Sequence, residues 1–312
     1  MQTNDPTATM ASMSMISGTT ATLDVPGATL HYQVRGSGPV LLMICGGIYD
    51  ADLLADLAQR LADQFTVVTY DRRGNSRSPL AGPPVPQRIE VHADDAHLLL
   101  SAVAGTDPAY VFGNSSGGQI ALDLAASHPE QVRAVVAHEP PLFALLPDAD
   151  RWPGLIEGVL DVYRADGAGP ALAIFGAAMG MSDDPRGDRD PEDGGDSADR
   201  GAGAGPGDGA GAPPPEVVEM MARLQANTEF FLGYEAPGFS GHTADLAALR
   251  AASSTIIPAV GRDSAGEPPH QAALALAEQL GVDAIVLPGG HGGFGSHADG
   301  YAAELRKLFA SR

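Results

Sequence analysis

The stretch Tyr110-Val111-Phe112-Gly113-Asn114-Ser115-Ser116-Gly117-Gly118 reads as a short apolar strand, a tight turn framed by glycine, and the first turn of a helix. The helix continues through Gln119-Ile120-Ala121-Leu122. Residues 113–117 fit the pattern G-x-S-x-G, in which a serine is lifted out of a sharp strand-to-helix turn. Side chains two residues before and after that serine would collide, and glycine has no Cβ to collide with. The turn would leave Ser115 Oγ open at a helix N-terminus, where partial positive charge favours a developing oxyanion. Ser116 is the rival nucleophile, but a pattern centred on it needs glycine at position 114, which is Asn114. The sequence therefore places the nucleophile at Ser115.

A serine hydroxyl is a poor nucleophile until a base takes its proton, and the base needs an orienting partner. His291 is the best base, in Pro288-Gly289-Gly290-His291-Gly292-Gly293-Phe294 directly after the last strand. Loops at strand C-terminal ends are where an open α/β sheet places its site. His297 lies further from the strand end and is weaker. For the acid, Asp263 follows the preceding strand in Gly261-Arg262-Asp263-Ser264, and Glu139 follows an earlier one in His138-Glu139-Pro140-Pro141. Only one helix and one strand separate Asp263 from His291, so Asp263 is preferred and Glu139 is the alternative acid.

The elements that would position these residues alternate. Ala21–Val25 and Ala28–Val34 alternate in polarity around Pro26-Gly27, as an antiparallel hairpin at a sheet edge does. Residues 40–44, 65–70, 110–114, 134–137, 255–260 and 284–287 are mostly apolar runs suited to buried parallel strands. Helical patterns separate them, and this rhythm predicts an α/β domain with helices on both faces of a mostly parallel sheet. The rhythm stops between about 141 and 245, which predicts an inserted helical cap. Within that insertion, 182–215 contains no Leu, Ile, Val, Met or aromatic residue, and eight Asp and one Glu stand against three Arg. Such a segment cannot bury a core and is predicted to be a disordered loop. Residues 1 to about 20 are predicted to be a disordered leader. The core domain is then 21–140 and 246–312.

At these residues the chain resembles the α/β-hydrolase fold superfamily. The resemblance rests on Cys45-Gly46-Gly47, Tyr70-Asp71-Arg72-Arg73-Gly74, Gly113-Asn114-Ser115-Ser116-Gly117, Gly261-Arg262-Asp263 and Gly289-Gly290-His291. The order Ser115, Asp263, His291 is the nucleophile–acid–base order of that superfamily. The resemblance implies an eight-stranded sheet, a helical cap over the site and no cofactor. It also implies an oxyanion hole built from the backbone N–H groups of Gly47 and Ser116. Many relatives have His where this chain has Cys45. Asp71-Arg72-Arg73-Gly74 is expected to pin a loop by salt bridges. Haloalkane dehalogenases and epoxide hydrolases of this fold place Asp at the elbow, so Ser115 implies acyl chemistry.

The expected function is hydrolysis of a carboxylic ester or lactone of a small, largely apolar substrate through an acyl-enzyme on Ser115. The alternatives are a carbon–carbon bond hydrolase or cofactor-free peroxidase on the same triad, or a ligand-binding protein that has lost catalysis. Leu142, Phe143, Trp152, Phe175, Met179, Phe230 and Phe231 could line an apolar pocket or form the cap's own core.

Composition narrows the partners. Over 312 residues, 39 Asp and Glu oppose 18 Lys and Arg, a formal net charge of −21. That surface disfavours nucleic acid and anionic membrane as partners and says little about the small-molecule substrate. Cys45 is the single cysteine, so no intrachain disulfide forms, and no metal site is expected. The first residues lack a basic region followed by an apolar run, and no stretch reaches the roughly 18 apolar residues a membrane helix needs. The expectation is a soluble, cytoplasmic protein.

Overall fold

The computed structural model describes residues 18–181, 214–252 and 254–311. The predicted leader up to residue 17 and the acidic segment 182–213 lie outside the described residues. The strands are β1 (Thr19–Val25), β2 (Ala28–Arg35), β3 (Val40–Ile44), β4 (Thr66–Tyr70), β5 (Ala109–Asn114), β6 (Val132–His138), β7 (Thr255–Gly261) and β8 (Ile285–Leu287). They form one eight-stranded sheet in the order β1-β2-β4-β3-β5-β6-β7-β8. The β1–β2 and β2–β4 pairs are antiparallel and every other pair is parallel. Thr19 and Thr20 already pair with Val34 and Gln33, so the last two residues of the predicted leader belong to the hairpin.

The helices are α1 (Ala55–Leu61), α2 (Ile89–Val103), α3 (Ser116–Ser127), α4 (Arg151–Asp166), α5 (Ala168–Ala178), α6 (Pro215–Phe230), α7 (Ala236–Ser240), α8 (Leu246–Ala251), α9 (Pro268–Leu280), α10 (Gly293–Ser296) and α11 (Ala298–Ala310). Side chains alternate between the two faces of the sheet, as the strand period of two requires. Leu42, Ile44, Val111 and Val135 pack with Ile89, Leu99, Ile120 and Leu276 on one face. Leu41, Met43, Phe112 and Val136 pack with Leu57, Leu61, Leu305 and Phe309 on the other. This is why the inner strands read as unbroken apolar runs: both faces are covered.

Between β6 and α8 the chain makes α4 to α7, with a π-helical turn at Phe231–Glu235 joining α6 to α7. These helices have a small core of their own, in which Val159, Ala171, Phe231 and Leu232 pack together. Among the described residues, no helix is long and apolar enough to cross a membrane.

Candidate active site

Ser115 sits between β5 and α3 with φ at +54° and ψ at −127°, a backbone conformation that L-residues rarely adopt. The surroundings hold it there. Ser115 N–H donates to His138 O at 2.9 Å, and Ser115 O accepts from Gly118 N–H at 2.8 Å. The two framing glycines are sterically required. A Cβ on Gly113 would lie 2.3 Å from Gly117 O, and one on Gly117 would lie 2.2 Å from Ile44 O. The local steric demand inferred from the pattern G-x-S-x-G is met in three dimensions.

His291, the candidate base, meets a carboxylate, and that carboxylate belongs to Glu139 rather than Asp263. His291 Nδ1 lies 2.7 Å from Glu139 Oε2, with the Glu139 side chain fully buried and that of His291 13 % exposed. Glu139 Oε1 accepts from Gly261 N–H at 2.8 Å and from the Ser264 hydroxyl, and His270 Nδ1 is 3.4 Å away. The preference for Asp263 is therefore corrected in favour of Glu139. The physical reason lies in two backbones. Glu139 leaves β6 with φ at +46° while its N–H extends the ladder to Ala259 O at 3.0 Å. Its side chain reaches the loops that follow β7 and β8. Asp263 donates its own N–H to Gly289 O at 3.1 Å, and its residue is exposed on the wall of the cavity described below. Among the described residues its carboxylate has no hydrogen bond or ion pair.

Burial raises the Glu139 carboxyl pKa, but the hydrogen bond and charge of His291, then His138 and Ser264, outweigh it and hold the group at about 2. An ionised carboxylate only accepts, so the proton of a neutral His291 resides on Nδ1 and Nε2 keeps its lone pair. The linkage has a definite sign. A folded-state pKa below the ordinary 4.5 stabilises the fold in full above about 4.5, and that contribution is lost as pH falls toward 2. Wild-type urea midpoints are expected to drop more steeply across that interval than those of Glu139→Gln. Parallel slopes would show that the carboxylate has no such linkage.

Several contacts were not read from the sequence. Asn114 Nδ2 donates to His291 O at 3.1 Å, tying the serine turn to the histidine loop. Asn114 Nδ2 also meets His138 Nδ1 at 3.3 Å, and Tyr301 OH meets His138 Nε2 at 3.1 Å. Burial pushes His138 down to about 3, so its ring is neutral between these two partners. The signal for Asn114 lay inside the serine motif; that for Tyr301 did not exist locally. His297 contacts Ser296 Oγ at 2.9 Å.

The loop after β3 is pinned from beneath. Arg72, 1 % exposed, donates to Cys45 O, to Gly47 O at 2.6 Å and to Glu235 Oε2 at 3.0 Å. Asn75 Nδ2 donates to Glu235 Oε1 at 2.9 Å. Arg72 thus joins the loop to the π-helical turn of the insertion. Arg73 pairs with Asp95, and Asp71 accepts from Ala51 N–H at 3.0 Å and from Arg77 at 2.7 Å. Glu235→Ala would leave Arg72 buried and unpaired, and loss of one partner of such a pair costs about 3–5 kcal/mol. Chemical denaturation is expected to show that loss, with Arg72→Met/Glu235→Leu milder than Glu235→Ala. Equal stabilities of wild type and Glu235→Ala would refute it. Burial pushes the Cys45 thiol up to about 12, so no thiolate nucleophile is available there.

Gly46 passes so close to the serine turn that a Cβ on it would lie 2.8 Å from Ser116 N and 2.4 Å from Asn114 O. Ser116 is the first residue of α3, and its N–H has no backbone acceptor among the described residues. The Gly47 N–H differs from expectation: it donates to Ser116 Oγ at 2.9 Å.

Ser115, Ser116, Gly47, Asp263 and His291 all line one cavity of about 740 Å³. Phe143, Phe175, Met179 and Phe231 of the predicted apolar set also line it. Trp152 instead stacks on Phe143, with ring centroids 3.8 Å apart, and Leu142 lies in the main core. Phe230 packs over Gly74. Among the described residues no cluster of His, Cys, Asp and Glu has the arrangement of a metal site.

The sequence profile of a family described as alpha/beta hydrolase fold matches residues 39–193. The uncharacterized hydrolase YraK of Bacillus subtilis is 35% identical over 305 residues, covering 92% of this chain and 94% of YraK. A 2-(acetamidomethylene)succinate hydrolase of Mesorhizobium japonicum is 32% identical over 115 residues, 37% of this chain and 40% of that one. Among solved structures, a thermophilic esterase from Thermogutta terrifontis superposes with a TM-score of 0.68 at 19% identity, covering 95% of this chain and 98% of the esterase.

Proposed function

This chain belongs to the α/β-hydrolase family, and on that premise we propose that it is a serine hydrolase cleaving a carboxylic ester or lactone. The observation that carries the reading is the Glu139–His291 pair, 2.7 Å apart, whose His291 lines the same cavity as the serine held at φ +54°. Ser115 Oγ attacks the carbonyl carbon and its proton passes to His291 Nε2. The carbonyl π pair moves onto oxygen, beside the Ser116 N–H. Glu139 holds the ring in the required tautomer and stabilises the imidazolium that forms. His291 returns the proton to the leaving alkoxide, which departs as alcohol and leaves an acyl-Ser115. A water molecule repeats the sequence and releases the acid.

The helices α4 to α7 act as a cap, because Phe175, Met179 and Phe231 close the cavity with apolar surface. That lining supports a small, largely apolar substrate, since such sites draw most of their affinity from apolar contact and fix orientation with few polar groups. A fluorophosphonate probe is expected to label Ser115. A panel of p-nitrophenyl esters of graded chain length, with lactones beside them, is expected to show hydrolysis favouring uncharged apolar acyl groups. A folded protein that is neither labelled nor active on any panel member would sink the reading.

A further inference from the structure

We propose that the second oxyanion donor is the hydroxyl of Ser116, backed by the Gly47 N–H, rather than the Gly47 N–H itself. The inference rests on the serine-hydrolase reading above. Its starting point is that the Gly47 N–H donates to Ser116 Oγ at 2.9 Å. One N–H has one proton, and a substrate oxygen could take it only by displacing the hydroxyl. The loop is not free to turn it elsewhere. Arg72 holds the carbonyls on both sides, Cys45 O and Gly47 O, and Glu235 neutralises Arg72 in turn.

Ser116 is well placed to act instead. It is 4 % exposed and lines the cavity with Ser115 and His291. Its hydroxyl has one proton and two acceptor sites, and Gly47 occupies one acceptor site. Among the described residues the proton has no acceptor. A hydroxyl that accepts a hydrogen bond becomes a better donor, because each bond in a chain polarises the next. Ser116 N–H and Ser116 Oγ–H then present two donors from one residue at the positive end of α3, a helix of 12 residues. Gly46 keeps this face open, since a Cβ there would sit 2.8 Å from Ser116 N. Ser116 forms no covalent bond and transfers no proton. It donates to the oxygen that gains the carbonyl electron pair as the bond from Ser115 Oγ forms.

The test is the rate at which a fluorophosphonate modifies Ser115. In that reaction the Ser115 O–P bond forms, fluoride leaves, and the P=O oxygen occupies the oxyanion position. Ser116→Ala is expected to lower this rate, and kcat on a p-nitrophenyl ester, by about 10²–10³, the usual cost of one oxyanion donor. KM and melting temperature should barely move. Ser116→Thr, which keeps the hydroxyl, should recover most of the loss. A Ser116→Ala enzyme as fast as wild type, or faster, would overturn the proposal, because it would mean that the freed Gly47 N–H serves as the donor. So would a folded Ser116→Thr as slow as Ser116→Ala. Absence of labelling in the wild type would remove the serine-hydrolase reading and this inference with it. Labelling that is unaffected by Ser116→Ala would remove only the inference.

Discussion

Ser115→Ala is expected to reduce kcat for ester hydrolysis by about 10⁶, the scale seen when a serine hydrolase loses its nucleophile. The variant should fold normally. Alanine fits the same turn, and the contacts that hold the turn come from the backbone and from Gly113 and Gly117. Melting temperature should stay close to wild type, and fluorophosphonate labelling should vanish. The rival serine offers no substitute, because Ser116 begins α3 and its Oγ accepts from Gly47 N–H. Cys45 offers none either, with its buried thiol kept protonated. Residual hydrolysis within about tenfold of wild type would place the nucleophile elsewhere and undo the mechanism.

Glu139→Gln carries the next largest expected effect, a loss of about 10⁴ in kcat, as when the orienting carboxylate of a serine protease becomes an amide. The amide can present a donor to His291 Nδ1 and so favour the wrong tautomer. It also removes the negative charge that stabilises the imidazolium. Gly261 N–H and the Ser264 hydroxyl still find an oxygen at the amide, so the loss should fall on kcat more than on stability near neutrality. Asp263→Asn is expected to leave kcat little changed, because Asp263 lies exposed on the cavity wall and, among the described residues, makes no hydrogen bond or ion pair with His291. Steady-state kinetics of the two variants on one ester decide the matter. A crippled Asp263→Asn beside an active Glu139→Gln would return the acid to the later strand.

The contrast between these two residues marks the boundary between what is local and what is not. The turn at Ser115 was legible because its requirement is steric and lies within five residues: without glycine at 113 and 117 the turn cannot close. The sheet was legible for a related reason. Strands covered on both faces must be apolar throughout, and hairpins at an edge must alternate, so β1 to β8 appear in the composition of each segment. The position of His291 followed from the rule that loops after strands gather at one end of the sheet.

The acid could not be settled that way, because Glu139 and Asp263 both end strands at that same edge. Sequence distance favoured Asp263. What decides is the left-handed backbone at Glu139, which turns its side chain beneath the loops after β7 and β8. No residue type announces that conformation, since glutamate adopts it only when its surroundings impose it. The Gly47 N–H is a second case. The family resemblance implied this N–H as an oxyanion donor, but only the packing of the β3 loop on α3, held by Arg72 and Glu235, aimed it at Ser116 Oγ. The same holds for the apolar residues of the insertion, where Phe175 and Met179 line the cavity while Trp152 is stacked away on Phe143. Residue chemistry and short-range sterics determined the fold and singled out the candidate nucleophile and the candidate base. The carboxylate partner of His291, the aim of the loop N–H and the lining of the cavity depend on side chains brought together from distant segments, and those were decided by tertiary packing alone.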